Sequence, residues 1–264
     1  MPFLGAVFVV TTLFGGIETK ILFLGTNGWY STELGNTSCV LIDSKEYYVV
    51  LDAGDGIHKL DEYVQSEKPI VIFLSHLHLD HIIGFHAFNK FRFKQNVSIY
   101  GYEGTKNGLR IISHPYTASF DEVPSKIDIN ELKEGRYSEP FPFTCKLLFH
   151  ADQCLGYRLE LDDKVIAYCT DTGMSENIFA LSKNADLLIA ECSLKPGQNE
   201  SGWPHIRPED AASIAREANV GRLVLTHFDA SIYKSMEDRK CAETTARKVF
   251  RETVAAVDGL EISI

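Results

Sequence analysis

The run Ile70-Val71-Ile72-Phe73-Leu74 leads directly into Ser75-His76-Leu77-His78-Leu79-Asp80-His81. A short, wholly apolar, β-branched run reads as a buried strand, so the polar segment after it sits at a strand end. Alternate side chains of an extended chain share a face, which groups His76, His78 and Asp80; a turn at His81 brings round a fourth group. Imidazoles and a carboxylate converging in this way make a ligand set suited to zinc, and also to manganese or iron. The bland alternative is a chance cluster on a polar loop. The chain has nine histidines, however, and three of them fall in this one loop.

Elsewhere, short β-branched or aromatic runs alternate with polar turns and later with helical patterns, the signature of sheets covered by helices. Strands are expected at residues 21–24, 38–42, 47–51, 70–74 and 97–100, then at 143–149, 156–161, 165–169, 187–190, 223–225 and 260–264. Asp162-Asp163-Lys164 reads as a hairpin turn. Helices are expected at 208–218 and 241–254, the first opening on Pro208 with Glu209 and Asp210 behind it. Two packed β-sheets with helices on the outside, an α/β architecture, accommodates this order.

At 264 residues and 45% hydrophobic, the chain is long enough for one large domain, taken as residues 20–264 after an apolar extension at 1–19. The stretch from Pro2 to Gly16 lacks a basic leader and is too short for a membrane-spanning helix, so it is read as an added strand or a leader and no membrane partner is expected. Six cysteines without a C-x-x-C pair fit a reducing cytoplasm. A net charge of -10 lacks the basic footprint needed to grip a long nucleic acid, which favours a small substrate. A homodimer is compatible with this composition.

Four more polar residues end apolar runs: Asp52 after Val49-Val50-Leu51, His150 after Leu147-Leu148-Phe149, Asp171 after 166–170, and His227 after Val224-Leu225-Thr226. Singly each reads as a turn former; together they repeat one design. Glu191, ending the run Leu187-Leu188-Ile189-Ala190, and His205, just before Pro208, form a second candidate pair. A carboxylate hydrogen-bonded to an imidazole raises its basicity and fixes its tautomer, as a proton donor requires. A surface histidine and a glutamate paired to an arginine are the plain alternatives.

From Leu22 to the C-terminus the order of these segments resembles the metallo-β-lactamase superfamily, and within it the ribonuclease Z-like branch of phosphodiesterases. The resemblance rests on Leu24-Gly25-Thr26, Leu51-Asp52-Ala53-Gly54, the histidine-rich loop, His150, Thr170-Asp171-Thr172-Gly173 and Thr226-His227-Phe228-Asp229. It implies a four-layer αββα fold and a dinuclear centre, two Zn2+ with Mn2+ or Fe2+ as alternatives. His76, His78 and His150 would hold one metal, Asp80, His81 and His227 the other, with Asp171 bridging. Water shared between two cations becomes a hydroxide nucleophile near neutral pH. Asp52 would orient a ligand imidazole or that water, Asp80 could also act as general base, and Glu191 with His205 would form the proton relay. The flanks differ from the family pattern: Ala190 replaces a histidine before the glutamate, and Ile206-Arg207 replaces small hydroxyl residues after the histidine.

The transfer-RNA-processing members carry a long arm between the segments matching His150 and Asp171, where this chain has only residues 151–170. The expected substrate is therefore a small or cyclic phosphodiester. A lactonase or thioesterase using the same centre, an RNA-processing nuclease, and a non-catalytic metal- or ligand-binding protein are the competing readings. Phe88-Asn89-Lys90-Phe91-Arg92-Phe93-Lys94 interleaves rings and cations as a lip of the pocket would, or as an amphipathic segment with its rings in the core would. His58, His86 and His114 lack paired ligand spacing and are read as structural or surface residues.

Overall fold

In the computed structural model, the described residues are 18–114, 117, 123–199 and 202–264; the apolar stretch expected as an added strand or leader lies outside them. The first half of the chain supplies β1 (Lys20–Gly25), β2 (Asn27–Gly28), β3 (Cys39–Asp43), β4 (Tyr48–Leu51), α1 (Leu60–Tyr63), β5 (Ile70–Phe73), α2 (Leu79–Ile82), β6 (Val97–Tyr102), α3 (Thr105–Ser113) and β7 (Ile127–Leu132). The second supplies β8 (Gly135–Tyr137), β9 (Phe143–Leu147), β10 (Leu155–Leu161), β11 (Lys164–Cys169), α4 (Glu176–Ser182), β12 (Leu187–Glu191), α5 (Pro208–Glu217), β13 (Arg222–Thr226), β14 (Phe228–Asp229), α6 (Met236–Arg247), β15 (Thr253–Ala255) and β16 (Glu261–Ser263).

Two seven-stranded mixed sheets result, ordered β16-β1-β3-β4-β5-β6-β7 and β15-β13-β12-β11-β10-β9-β8, with a small β14-β2 pair between their ends. Strand alternation distributes the side chains. Val71 and Phe73 of β5 join Phe23 and Leu51 in a core shared with Phe143, Tyr157, Ile166 and Ile189 of the second sheet. Ile70 and Ile72 face the other way, against Ile57, Leu60, Phe85 and Leu109. On the second sheet, Leu188, Ala190 and Leu225 pack beneath Ile178, Ile214, Ala215 and Ala242 of the helices. Burial on both faces explains why the central strands are uniformly apolar, and the layers are αββα as expected.

The β10–β11 hairpin turns on Asp162 and Asp163, both left-handed (φ 52° and 63°), which is the backbone a two-residue antiparallel turn needs. The expected helix at 241–254 is corrected: α6 begins six positions after Ala230, at Met236, behind a capping box of Ser235 and Asp238, and ends at Arg247. Residues Thr253–Ala255 instead form β15, paired parallel to β13. Strands β7 and β8 and helices α3 and α4 were not anticipated; β7 and β8 are sheet edges whose residues are mostly half-exposed, so their apolar pattern is weak.

The topology gathers strand ends. Strands β4 to β7 run parallel to one another, as do β11, β12, β13 and β15, and β9 points the same way as β11 because β10 reverses twice. Loops leaving the carboxyl ends of β4, β5, β9, β11, β12 and β13 therefore meet at one edge of the sandwich, where open α/β sheets place their ligands.

Candidate metal centre

Three residues at this edge leave their strands in the left-handed region: Asp52 after β4 (φ 58°), Asp171 after β11 (φ 48°) and His227 after β13 (φ 52°). Non-glycine residues seldom adopt this backbone, and Asp and His tolerate it better than most. The turn aims each side chain across the end of the sheet rather than along the strand. His76 lies in the loop three residues after β5; His78 is extended at the start of α2. Asp80 and His81 lie within the helix itself, so Asp80 reaches the site by the helical turn and not by strand alternation, correcting the expectation from the sequence.

All seven expected ligands come together. Ligand atoms of His76, His78, His150 and Asp171 lie within 4.8 Å of one another, and so do those of Asp80, His81, Asp171 and His227. Asp171 belongs to both groups. Its Oδ2 is 3.1 Å from His76 Nε2 and 2.9 Å from His81 Nε2, and its Oδ1 is 3.0 Å from His227 Nδ1.

A hydrogen-bond network braces three of the rings through their Nδ1 atoms. Asp52, fully buried, accepts from Ser75 N–H (2.7 Å), Ser75 Oγ–H (2.8 Å), Tyr168 O–H (2.7 Å) and His81 Nδ1–H (2.7 Å). Because the Ser75 proton goes to Asp52, His76 Nδ1–H donates to Ser75 Oγ at 3.0 Å. Ser193 Oγ–H donates to the His227 carbonyl (3.1 Å) and so accepts from His227 Nδ1–H (3.1 Å). The Nε2 atoms of His76, His81 and His227 are thus all turned inward. Those of His81 and His227 face each other at 3.1 Å, beside Asp80 Oδ2, 3.4 Å and 3.3 Å away. His76 Nε2, both ring nitrogens of His150, and Asp171 Oδ1 are buried without a hydrogen-bond partner. Acceptors packed against acceptors are costly in any protein interior unless a cation lies among them, so the donor set fits two metal ions.

Gly28 is needed for this geometry. A Cβ at that position would stand 2.5 Å from the His227 ring, because β2 lies directly against β14. Of the two groups Asp52 is expected to orient, the structure shows it against the His81 imidazole, at 2.7 Å.

The second pair forms as well. Glu191, wholly buried, accepts from His205 Nδ1–H at 2.9 Å, and its carboxylate is further held by the backbone N–H groups of Thr172 (2.5 Å), Ser193 (3.2 Å) and Ile206 (3.3 Å). Arg207 instead pairs with Asp210. Burial pulls His205 down, but the charges of Glu191 and Asp171 outweigh it and raise the imidazolium to about 9. Burial takes His150 the other way, to about 4, aided by His76 and His78 against the pull of Asp171. Two imidazoles with centroids 6.1 Å apart are thus pushed in opposite directions.

These groups line a cleft of about 670 Å³ together with Gly28, Trp29, Leu79, Ser193, Leu194, Trp203, Asp229 and Ile232. Nothing in the local sequence marks Trp29 or Trp203 for this role beyond the glycine before each. Phe88, Phe91 and Phe93 are buried in the core under the first sheet and do not line the cleft, which corrects their reading as its lip. His58 and His86 bond to the nearby carbonyls of Asp55 and Ile83, and neither joins a ligand group.

The profile of the Beta-lactamase superfamily domain matches residues 47–228. The chain belongs to this superfamily. It is 29% identical over 219 residues to the probable metallo-hydrolase YhfI of Bacillus subtilis, covering 79% of this chain and 86% of that protein. It is 24% identical over 308 residues to a ribonuclease Z of Bacillus velezensis, covering 93% of this chain and 99% of the other. The crystal structure of YhfI superposes with a TM-score of 0.78 at 24% identity, over 94% of this chain and all (100%) of that one, which shows a common fold. The fold and the clustered ligand groups make this superfamily member a metal-dependent hydrolase with a dinuclear metal-binding active site. No helix among the described residues is long and apolar enough to cross a membrane.

Proposed function

We propose that this hydrolase is a phosphodiesterase acting on a small or cyclic phosphodiester, with zinc in both positions. The observation that carries this reading is the Glu191–His205 pair, a held proton donor opening onto the same cleft as both ligand groups. His76, His78 and His150 would hold one cation and Asp80, His81 and His227 the other, with Asp171 belonging to both groups. Two divalent cations there supply Lewis acidity, drawing charge from the phosphoryl oxygens and acidifying water.

The chain's own residues do the rest. Glu191 keeps the Nδ1 proton of His205, so the Nε2 proton is the one passed to the departing oxygen. An alkoxide gains strongly from such an acid because it leaves poorly unprotonated. Asp80, half-buried in the cleft lining, is the proposed acceptor of the proton from attacking water. Asp52 fixes the His81 ring and takes no direct part. The ribonuclease Z relatives support phosphodiester chemistry, and the short β10–β11 hairpin between His150 and Asp171 favours a small substrate over transfer RNA.

Acyl substrates are the second reading, favoured by a cleft lining without Lys or Arg among the described residues. Protein loaded with zinc or manganese should be assayed against 2′,3′-cyclic nucleotides, bis(p-nitrophenyl) phosphate, a lactone and a thioester. Metal-dependent cleavage of the phosphodiesters is expected. His205→Ala should retain both metals and lose about 100-fold or more on poor leaving groups. Cleavage of the acyl substrates alone would reassign the enzyme, and inertness towards both would end the catalytic reading.

A further inference from the structure

We propose that Trp29 and Trp203 determine specificity, taking a flat, uncharged part of the substrate such as a nucleobase or aryl ring at the mouth of the metal cleft. This rests on the phosphodiesterase reading above and names the substrate class within it.

The chain has two tryptophans, and both line the same cleft. They are 64% and 53% exposed, which is unusual for the largest apolar side chain unless a partner covers it. Each stands beside a different ligand group. The Trp203 ring lies 6.1 Å from that of His78 and 6.0 Å from that of His150, at the first group. Trp29 stands at the second, where its backbone N–H donates to Asp80 Oδ2 at 2.8 Å. Trp29 also adopts a left-handed backbone, φ 73°. A bulky residue in that region is a strained outlier, and strain of this kind gathers at binding sites where the surroundings enforce it. Asparagine or glycine would meet the backbone demand at lower cost, so an indole there points to a use for the ring.

The remainder of the lining agrees. Leu79, 63% exposed, and Ile232 and Leu194 continue the apolar surface, and no Lys or Arg lines the cleft among the described residues. A substrate therefore presents one anionic group to the cations and finds apolar and aromatic walls around the rest. A ring stacked on indole satisfies those walls, and a second phosphate or carboxylate does not. The volume of about 670 Å³ suits a mononucleotide-sized molecule.

The test compares adenosine 2′,3′-cyclic phosphate with glycerol 1,2-cyclic phosphate, which share the reacting ring and the alkoxide leaving group and differ in the base. Trp29→Ala and Trp203→Ala, each checked for full metal content, should lose roughly tenfold in kcat/KM on the adenosine compound and stay within about twofold on the glycerol compound. Trp203→Phe should recover most of the loss. Equal losses on both compounds, or none on either, would overturn the proposal. Indole emission gives an independent reading because it reports on these two residues alone. Adenosine 5′-monophosphate should quench it saturably, and ribose 5-phosphate should not. Equal quenching by both, or by neither, contradicts the proposal. Should the wild type hydrolyse neither cyclic compound, the phosphodiesterase reading fails and the emission experiment still decides whether the tryptophans bind a flat ring.

Discussion

The two ligand groups share Asp171 but are built differently. Around Asp80, His81 and His227 the protein interior is already committed: Asp52 grips His81, Ser75 and Tyr168 grip Asp52, Ser193 holds His227, and Gly28 lets β2 close against that ring. Around His76, His78 and His150, only His76 is braced in this way among the described residues, through Ser75. His78 has ring contacts with His76, His150 and Trp203, and both nitrogens of His150 are buried without hydrogen bonds. One set of side chains is held by the protein's own hydrogen bonds; the other is held chiefly by ring packing. Outer hydrogen bonds raise ligand basicity and fix ring orientation, so the Asp80–His81–His227 position should bind more tightly and exchange more slowly than the His76–His78–His150 position.

Substitutions can break this asymmetry in graded steps. Asp171→Ala removes the one side chain common to both groups, and metal analysis should show loss of both ions with a fall in turnover of more than about 100-fold. Asp52→Asn keeps the shape but removes the carboxylate from His81. It should weaken the Asp80–His81–His227 position by about 10- to 100-fold in a competition titration and the His76–His78–His150 position less, because Asp52 reaches that one only through Ser75. Equal weakening of both would show that the network serves the fold and not one site. Tyr168→Phe deletes a single hydrogen bond to Asp52, of about 1 kcal/mol, so a several-fold loss at the Asp80–His81–His227 position is expected and little else.

The uneven legibility of the sequence has a physical basis. His76, His78 and His81 stand out because one segment carries them, and Asp52, Glu191 and His227 because each directly follows or ends a buried apolar strand. What the pattern misplaced depends on tertiary context. Asp80 was assigned to strand alternation because nothing local announces the short α2. The α6 boundary lay in Ser235 and Asp238, a cap whose helix is polar on much of its surface, while Thr253–Ala255 looked helical until β13 recruited it. Edge strand β7, Ile-Asp-Ile-Asn-Glu-Leu, is half-exposed and lacks the continuous apolar run of its neighbours. The cleft position of Trp29 depends on a left-handed backbone that no local rule assigns to tryptophan.

Anomalous diffraction at the zinc edge, on crystals of the zinc-loaded protein before and after a short chelator soak, tests the unequal pair most directly. Two peaks are expected, one against His76, His78 and His150 and one against Asp80, His81 and His227, with the first fading before the second. A single peak, or earlier loss of the ion at His81, would contradict the account.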